Sequence, residues 1–144
     1  MQEKLQVGSA EVFKAGSALA GGVARRGETC GALTGAIMAV SCVVGRERLE
    51  DRDQYVKAMD DAGRVYDRFN EEIGETLCTE IHKKRFGQVY RLCIPEERAA
   101  FHEMGGHSRT GCPEVCGVAA KIAAEVILDI KERESQPQEV SADH

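Results

Sequence analysis

Apolar and polar residues recur with helical spacing along most of this chain, and glycines separate the helical stretches. After a polar lead over residues 1–8, Ser9 is placed to cap a short helix over residues 10–20, which a glycine pair ends. Apolar character from Cys30 to Val44, with Thr29 as the N-cap, predicts a second helix. No alternating pattern typical of strands is found, so the pattern indicates an all-α fold.

The clearest helical pattern covers about residues 51–73 and ends at Gly74, a residue suited to a C-cap. Its apolar positions are spaced 4, 3, 4, 3 and 4, which predicts a single packing seam. A partner interface is the alternative to a core seam. The seam residues are Tyr55, Met59, Ala62, Tyr66, Phe69 and Ile73.

Three further helices are predicted: residues 76–85 with Thr76 as N-cap, residues 95–104, and a last helix opened by Pro113. The pattern as a whole predicts an all-α bundle of about five to six helices in one domain, residues 1–133. A polar tail over residues 134–144 is expected to be disordered. The apolar stripe of the last helix is Val115, Val118, Ala119, Ile122, Val126, Ile127 and Ile130.

Composition narrows the class of protein. The net charge of -5 argues against a nucleic-acid partner, and no stretch reaches the roughly 18 apolar residues of a membrane helix. Arg25-Arg26 resembles a twin-arginine pair without the apolar region that follows one in a signal, so the expected location is cytoplasmic. Six cysteines in such a chain favour metal binding or redox chemistry over structural disulfides.

The Cys30 segment combines several chemical signals. In the first turn of a helix, the dipole and free N–H groups are expected to lower the pKa of the Cys30 thiol. Gly31 and Gly35 leave one helix side bare, so that another backbone, a cofactor or a second subunit can approach; ordinary close helix packing is the alternative. Arg25 and Arg26, in the flexible basic loop before it, could stabilise a thiolate or an anionic cofactor, although such arginines are often simply solvated.

Cys30, Cys78 and Cys112 each fall at the start of a predicted helix, with Cys112 at the N-cap or just before it. If a bundle brings these ends together, their positive dipoles would stabilise the negative charge of a thiolate-ligated iron–sulfur cluster. Cys116 can share a site with Cys112, because residues four apart lie on one helix face. Cys93 is ambiguous.

Two other interpretations of these residues stay open. Buried cysteines are common in cores as small hydrophobes, and this is preferred for Cys42, about 18 Å from the helix start at 1.5 Å per residue. His102, His107, Cys112 and Cys116 could form a structural zinc site, although their spacing matches no standard zinc motif.

These motifs resemble the C_GCAxxG_C_C family of redox-active proteins over about residues 20–130. The resemblance implies a helical fold, redox activity and a suspected iron–sulfur cluster. Three of the four signature cysteines map onto Cys30, Cys78 and Cys112; the first has no counterpart upstream of Cys30. A fourth ligand would then come from Cys116, Cys93, His107 or a second subunit. The matching segments are Gly27–Ala36, with its CGAxxG motif, Cys78–Ile81, Phe86-Gly87, Pro95–Glu97, Phe101, Gly105–His107 and Cys112–Gly117.

The leading hypothesis is a small redox-active protein that binds an iron–sulfur cluster through Cys30, Cys78, Cys112 and Cys116 and transfers electrons. Its expected partner is a redox protein or an oxidoreductase complex, and a homodimer is possible. The alternatives are a metal-free thiol protein with Cys30 as nucleophile, or a structural subunit of a larger redox complex. Whether the protein is an enzyme is left open.

Overall fold

The computed structural model describes residues 1–136 and has the predicted all-α architecture. Within that part the chain forms seven α-helices, and a 3-10 turn, Ser17–Leu19, extends the second of them. Residues 1–136 contain no strand, only an isolated bridge between Thr29 and Leu77. The helices are α1 Gln2–Leu5, α2 Ala10–Gly16, α3 Gly31–Val44, α4 Arg52–Ile73, α5 Cys78–Phe86, α6 Pro95–Glu103 and α7 Cys112–Ser135.

Helices α3, α4 and α7 pack against one another and enclose the core. The apolar stripe predicted for the last helix is confirmed: six of its seven residues are buried, and Val118 is partly buried against the core. Burying each large aliphatic side chain contributes about 1.5–3 kcal/mol, so this stripe is a main source of stability. The buried core residues of α3 are Leu33, Ala36, Val40 and Val44.

The polar lead predicted over residues 1–8 is wrong in part. Residues Gln2–Leu5 form a one-turn helix, Val7 is buried in the core, and Met1 and Leu5 pack against it. Three apolar residues in seven are too few for a periodic signal, but they are enough to anchor the segment.

Several helices begin and end where the sequence predicts, because a nearby side chain caps the N-terminus or a glycine caps the C-terminus. Ser9 Oγ accepts a hydrogen bond from the Val12 N–H at 3.4 Å, and Asp51 Oδ1 accepts one from the Gln54 N–H at 3.0 Å. Gly74 and Gly87 are left-handed C-caps, as their positions predict.

Thr29 and Thr76 are not the N-caps that the sequence suggests. Cys30 caps α3 and Leu77 caps α5, neither with a side-chain hydrogen bond. The reason is tertiary: Thr29 is in extended conformation because it forms the bridge with Leu77.

The predicted α4 seam is confirmed at Phe69, which is fully buried, and at Ile73, which packs against the core, but it is displaced elsewhere. Tyr55, Met59 and Tyr66 are exposed, whereas Val65 and Asp61 lie on the buried face. Asp61 is 6% exposed, and its Oδ1 accepts hydrogen bonds from two arginines. These are Arg64 Nη1 at 3.0 Å and Arg133 Nη2 of α7 at 2.8 Å.

The exposed aromatic residues of α4 have polar partners at the surface. The Arg46 guanidinium carbon lies 4.6 Å from the centroid of the Tyr55 ring, a cation–π contact. The Tyr66 hydroxyl is 3.2 Å from Thr76 Oγ1. Amphipathic side chains of this kind satisfy a helical period without entering the core.

The last helix is longer than predicted. It continues through Glu134 to Ser135, so the predicted tail begins inside α7. Residues 137–144, the rest of that tail, lie outside the described residues. Across residues 1–136, the helices are all too short or too polar to span a lipid bilayer.

Replacing Ile122, a fully buried residue of α7, should destabilise the fold through cavity formation. We expect Ile122→Ala to lower the free energy of unfolding by about 2–5 kcal/mol, measured by urea titration. Leu128→Ala is the matched control, because Leu128 lies on the same helix and is 47% exposed. A loss as large for Leu128 as for Ile122 would contradict the assignment of the core face.

Candidate functional site

Backbone pairing brings Cys30 and Cys78 together. The Cys30 N–H donates to the Thr76 carbonyl at 2.8 Å, and the Cys78 N–H donates to the Glu28 carbonyl at 2.8 Å. These two bonds flank the bridge between Thr29 and Leu77. As a result α3 and α5 begin side by side, with one cysteine at each helix start.

The loop before Cys30 is a compact left-handed turn, not the flexible loop that the sequence suggests. Five consecutive residues, Gly21–Arg25, have φ between 50° and 69°. The Gly27 N–H donates to the Gly21 carbonyl at 3.0 Å, which closes the turn. A Cβ on Gly22 would lie 2.7 Å from the Cys78 Cβ and 2.5 Å from the Glu28 carbonyl oxygen, so only glycine fits there.

A second backbone also approaches the bare side of α3, as the small residues there allow. A Cβ on Gly31 would lie 2.6 Å from the Leu19 carbonyl oxygen. The approaching backbone thus belongs to the chain itself, at the end of the 3-10 turn. Gly35, one turn further on, has open space beside it.

Cys112 is positioned by the loop between α6 and α7. It is the first residue of α7, and its N–H donates to the Gly106 carbonyl at 2.9 Å. Gly106 in turn lies on the ring of Phe101, where a Cβ would be 2.2 Å from the nearest ring carbon. Phe101 is fully buried, so this loop has a fixed place in the fold.

Four cysteines and two histidines line one cavity of about 330 Å³, here called the cysteine cavity. Apolar side chains, among them Leu19, Ile81 and Val115, complete its walls. Cys78 is buried, Cys30 and Cys112 are half-buried, and Cys116 is exposed, so the cavity reaches the surface. The six polar residues are Cys30, Cys78, Cys112, Cys116, His82 and His107.

The surroundings hold three of these thiols in their protonated form. Burial raises the pKa of Cys78 from an ordinary 9.0 to about 12, and negative charge on Cys30 and Cys112 would raise it further. Burial likewise raises the pKa of Cys112 to about 11, with Cys30 and Cys116 adding to the effect and Arg85 opposing it. The pKa of Cys116 is also raised, by burial and by Cys30. The thiols are therefore close enough for each charge to disfavour the next.

His82 is a site residue that the sequence analysis missed. It is 1% exposed, its Nε2 lies 3.8 Å from Cys78 Sγ, and its ring stacks on Phe101 at a centroid distance of 4.6 Å. Burial lowers the pKa of His82; the Tyr90 backbone opposes this and His107 adds to it. The ring is therefore neutral at pH 7. The available signal was its spacing, since His82 follows Cys78 by four residues and shares its helix face.

The other predicted site residues lie in different places. Arg25, Arg26 and Cys93 line a neighbouring cavity that also contains Cys78 and His82. Gly35 and Cys42 line a third, apolar cavity along α3. Cys42 is exposed, so it is not the buried small hydrophobe that the sequence suggests. Gly31 lines the cysteine cavity.

The zinc candidates are not assembled around one point. His107, Cys112 and Cys116 line the cysteine cavity but His102 does not; its Nδ1 lies 3.4 Å from Nδ1 of His107. Tetrahedral zinc with Zn–S bonds near 2.3 Å requires sulfur ligands about 4 Å apart. In residues 1–136 no three His, Cys, Asp or Glu side chains are grouped to hold a single ion.

Comparison with known proteins places the chain in a family. A family model described as "Putative redox-active protein (C_GCAxxG_C_C)" matches residues 1–126. The chain belongs to this C_GCAxxG_C_C family, the family that its cysteine and glycine motifs resemble. No curated protein and no solved structure matches it significantly.

The contact between Gly22 and Cys78 predicts a strong effect of a single methyl group. Gly22→Ala should lower the free energy of unfolding by about 2–4 kcal/mol, from the left-handed backbone and the clash together. Gly63→Ala is the control: its Cβ would meet no atom within 4 Å, and alanine should stabilise α4 by about 0.5–1 kcal/mol. Equal responses of the two variants in urea unfolding would refute the tight packing of the loop.

The raised thiol pKa of Cys78 predicts alkaline destabilisation of the reduced, metal-free protein. Below about pH 9 the Cys78 thiol is protonated in both the folded and the unfolded state, so its ionisation does not lower the free energy of unfolding there. Above that pH only the unfolded state loses the proton, and stability falls by up to about 1.4 kcal/mol per pH unit. Urea unfolding from about pH 8 to about pH 10.5 should show a shallower fall for Cys78→Ala. Superimposable pH profiles would count against the buried thiol.

Proposed function

We propose that this protein carries an iron–sulfur cluster in the cysteine cavity and acts in electron transfer. The observation that supports this most directly is the convergence of Cys30, Cys78 and Cys112, each at a helix start, on one cavity that also holds Cys116. Four thiol side chains are the usual ligand set of such clusters.

The donor set of the cavity fits this group. Buried thiols ionise only when a cation compensates the charge, and iron would supply it where the protein supplies no ion pair. The N-termini of α3, α5 and α7 would add partial positive charge around the ligands. Thiols spread around a cavity, instead of around one point, suit a group with several metal atoms. When bound, the cluster would supply a one-electron carrier.

The residues of the cysteine cavity would then have different roles. Cys30, Cys78 and Cys112 would be ligands held by backbone hydrogen bonds, and Cys116 would be the ligand nearest solvent. Apolar walls would keep water from the buried side. Because the Cys116 side of the cavity is exposed, we propose that electrons pass there to a redox partner protein.

The thiol alternative has less support. With Cys30 as the nucleophile, disulfide exchange also needs a second cysteine that reacts as a thiolate, and a pKa of about 12 for Cys78 and about 11 for Cys112 keeps both of these protonated. Their attack on a disulfide at Cys30 would be slow. A metal cation in the cavity would stabilise the thiolate form of these cysteines, which favours the metal-binding proposal over disulfide exchange.

The proposal predicts iron and sulfide in matching amounts in protein purified without oxygen, with the broad visible absorption of thiolate-ligated clusters. Cys30→Ser should lose this absorption. Cys42→Ser is the matched control, because Cys42 lies on the same helix but lines a different cavity, and it should keep the wild-type spectrum.

Several results would overturn the assignment. Zinc alone would indicate a structural site, and absence of iron after anaerobic purification and reconstitution would leave thiol chemistry or a scaffold role. An unchanged spectrum in Cys30→Ser would remove that residue from the ligands. Cys116→Ser and Cys93→Ser, compared in the same way, identify the fourth ligand.

A further inference from the structure

A second cavity adjoins the cysteine cavity and has a different character. Its volume is about 180 Å³, and it is here called the arginine cavity. The two cavities share Gly21, Cys78, His82 and Leu92, so they are direct neighbours. A cavity of this size has room for a small ligand.

Three arginines line this cavity, and two of them carry uncompensated charge. Arg91 is neutralised by Glu97: its N–H and Nε donate to that carboxylate at 2.7 and 2.6 Å. Arg25 and Arg26 form no ion pair within residues 1–136. Arg25 and Arg26 are exposed residues that line the cavity without an ion-pair partner in the described part of the chain, and in a chain of net charge -5 they favour an anion there.

The left-handed turn fixes the position of these arginines. Arg25 has φ 63°, and Val23 and Ala24 are also left-handed, a strained conformation for residues other than glycine. Backbone hydrogen bonds from Arg25 to Ala20 at 3.1 Å and from Arg26 to Val23 at 3.0 Å maintain this conformation. Left-handed backbone at residues other than glycine is typical of functional segments.

His82, which lines both cavities, has a buried ring nitrogen without a well-formed hydrogen bond. The residue is 1% exposed and the Tyr90 backbone influences its ring, but Nδ1 makes no hydrogen bond of normal length and angle within the described residues. Nε2 lies 3.8 Å from Cys78 Sγ, and where the protonated thiol donates to it, the ring proton is on Nδ1, which is then a donor. A ligand oxygen would satisfy this buried donor.

We propose that the arginine cavity binds a small oxygen-rich anion, an inorganic oxyanion or a short carboxylate, held by Arg25 and Arg26 and accepting a hydrogen bond from His82 Nδ1. The site does not depend on the iron–sulfur proposal, since its residues are in place in the metal-free chain. Cys78 itself lines the arginine cavity, so an anion bound there lies beside Cys78 as well as His82.

The test uses the reduced, metal-free full chain titrated with inorganic phosphate, sulfate and acetate at constant ionic strength, with sodium chloride as reference. We expect saturable binding of at least one anion in calorimetry, together with a shift of the His82 ring nitrogen resonance in NMR. Stronger binding of phosphate or sulfate assigns the site to oxyanions, and stronger binding of acetate assigns it to carboxylates.

The matched variants are Arg25→Gln with Arg26→Gln, and Arg48→Gln at an exposed position outside the cavity. The double variant should weaken binding by about 10-fold or more, as expected for lost charged hydrogen bonds, while Arg48→Gln leaves it unchanged. Thermal melting checks that each variant is folded. No saturable binding, binding unaffected by the double variant, or an equal loss in Arg48→Gln would overturn the proposal.

Discussion

Antiparallel pairing of two short segments, residues 27–30 and 76–79, determines where the functional residues of this protein lie. Each segment is too short to be a strand, but their backbone groups satisfy one another: Cys30 N–H with Thr76, Cys78 N–H with Glu28, and Thr79 N–H with Gly27. Helices α3 and α5 therefore start side by side, and neither has a side-chain hydrogen bond at its N-cap. The cysteine cavity and the arginine cavity both adjoin this pairing.

Much of the fold could be predicted because its signals are local. The stripe of α7 has the period of its own helix, and Ser9, Asp51, Gly74 and Gly87 act on backbone groups within one turn. The placement of Cys30, Cys78 and Cys112 at helix starts is local in the same sense. Capping and periodicity require no knowledge of what packs against a helix.

The features that the sequence could not predict depend on distant residues. The α4 seam was misplaced in part because Asp61 is buried through its hydrogen bonds with Arg64 and with Arg133, which is 72 residues away. Thr29 and Thr76 do not cap their helices, because the chain there pairs through the bridge between Thr29 and Leu77. The left-handed turn at Gly21–Arg25 packs on Cys78, another contact between distant residues. The ring of His82 stacks on Phe101 in the site, and no sequence motif predicts that contact.

The pairing at the site also bears on how the molecule assembles. Cys30 and Cys78 are 48 positions apart in the chain, and Cys112 is 34 further on. Closing loops of that length costs entropy until the helices between them have docked, so we expect the cavity to form late in folding. A ligand that needs several of these thiols at once would then bind only those chains in which α3, α4 and α7 have docked.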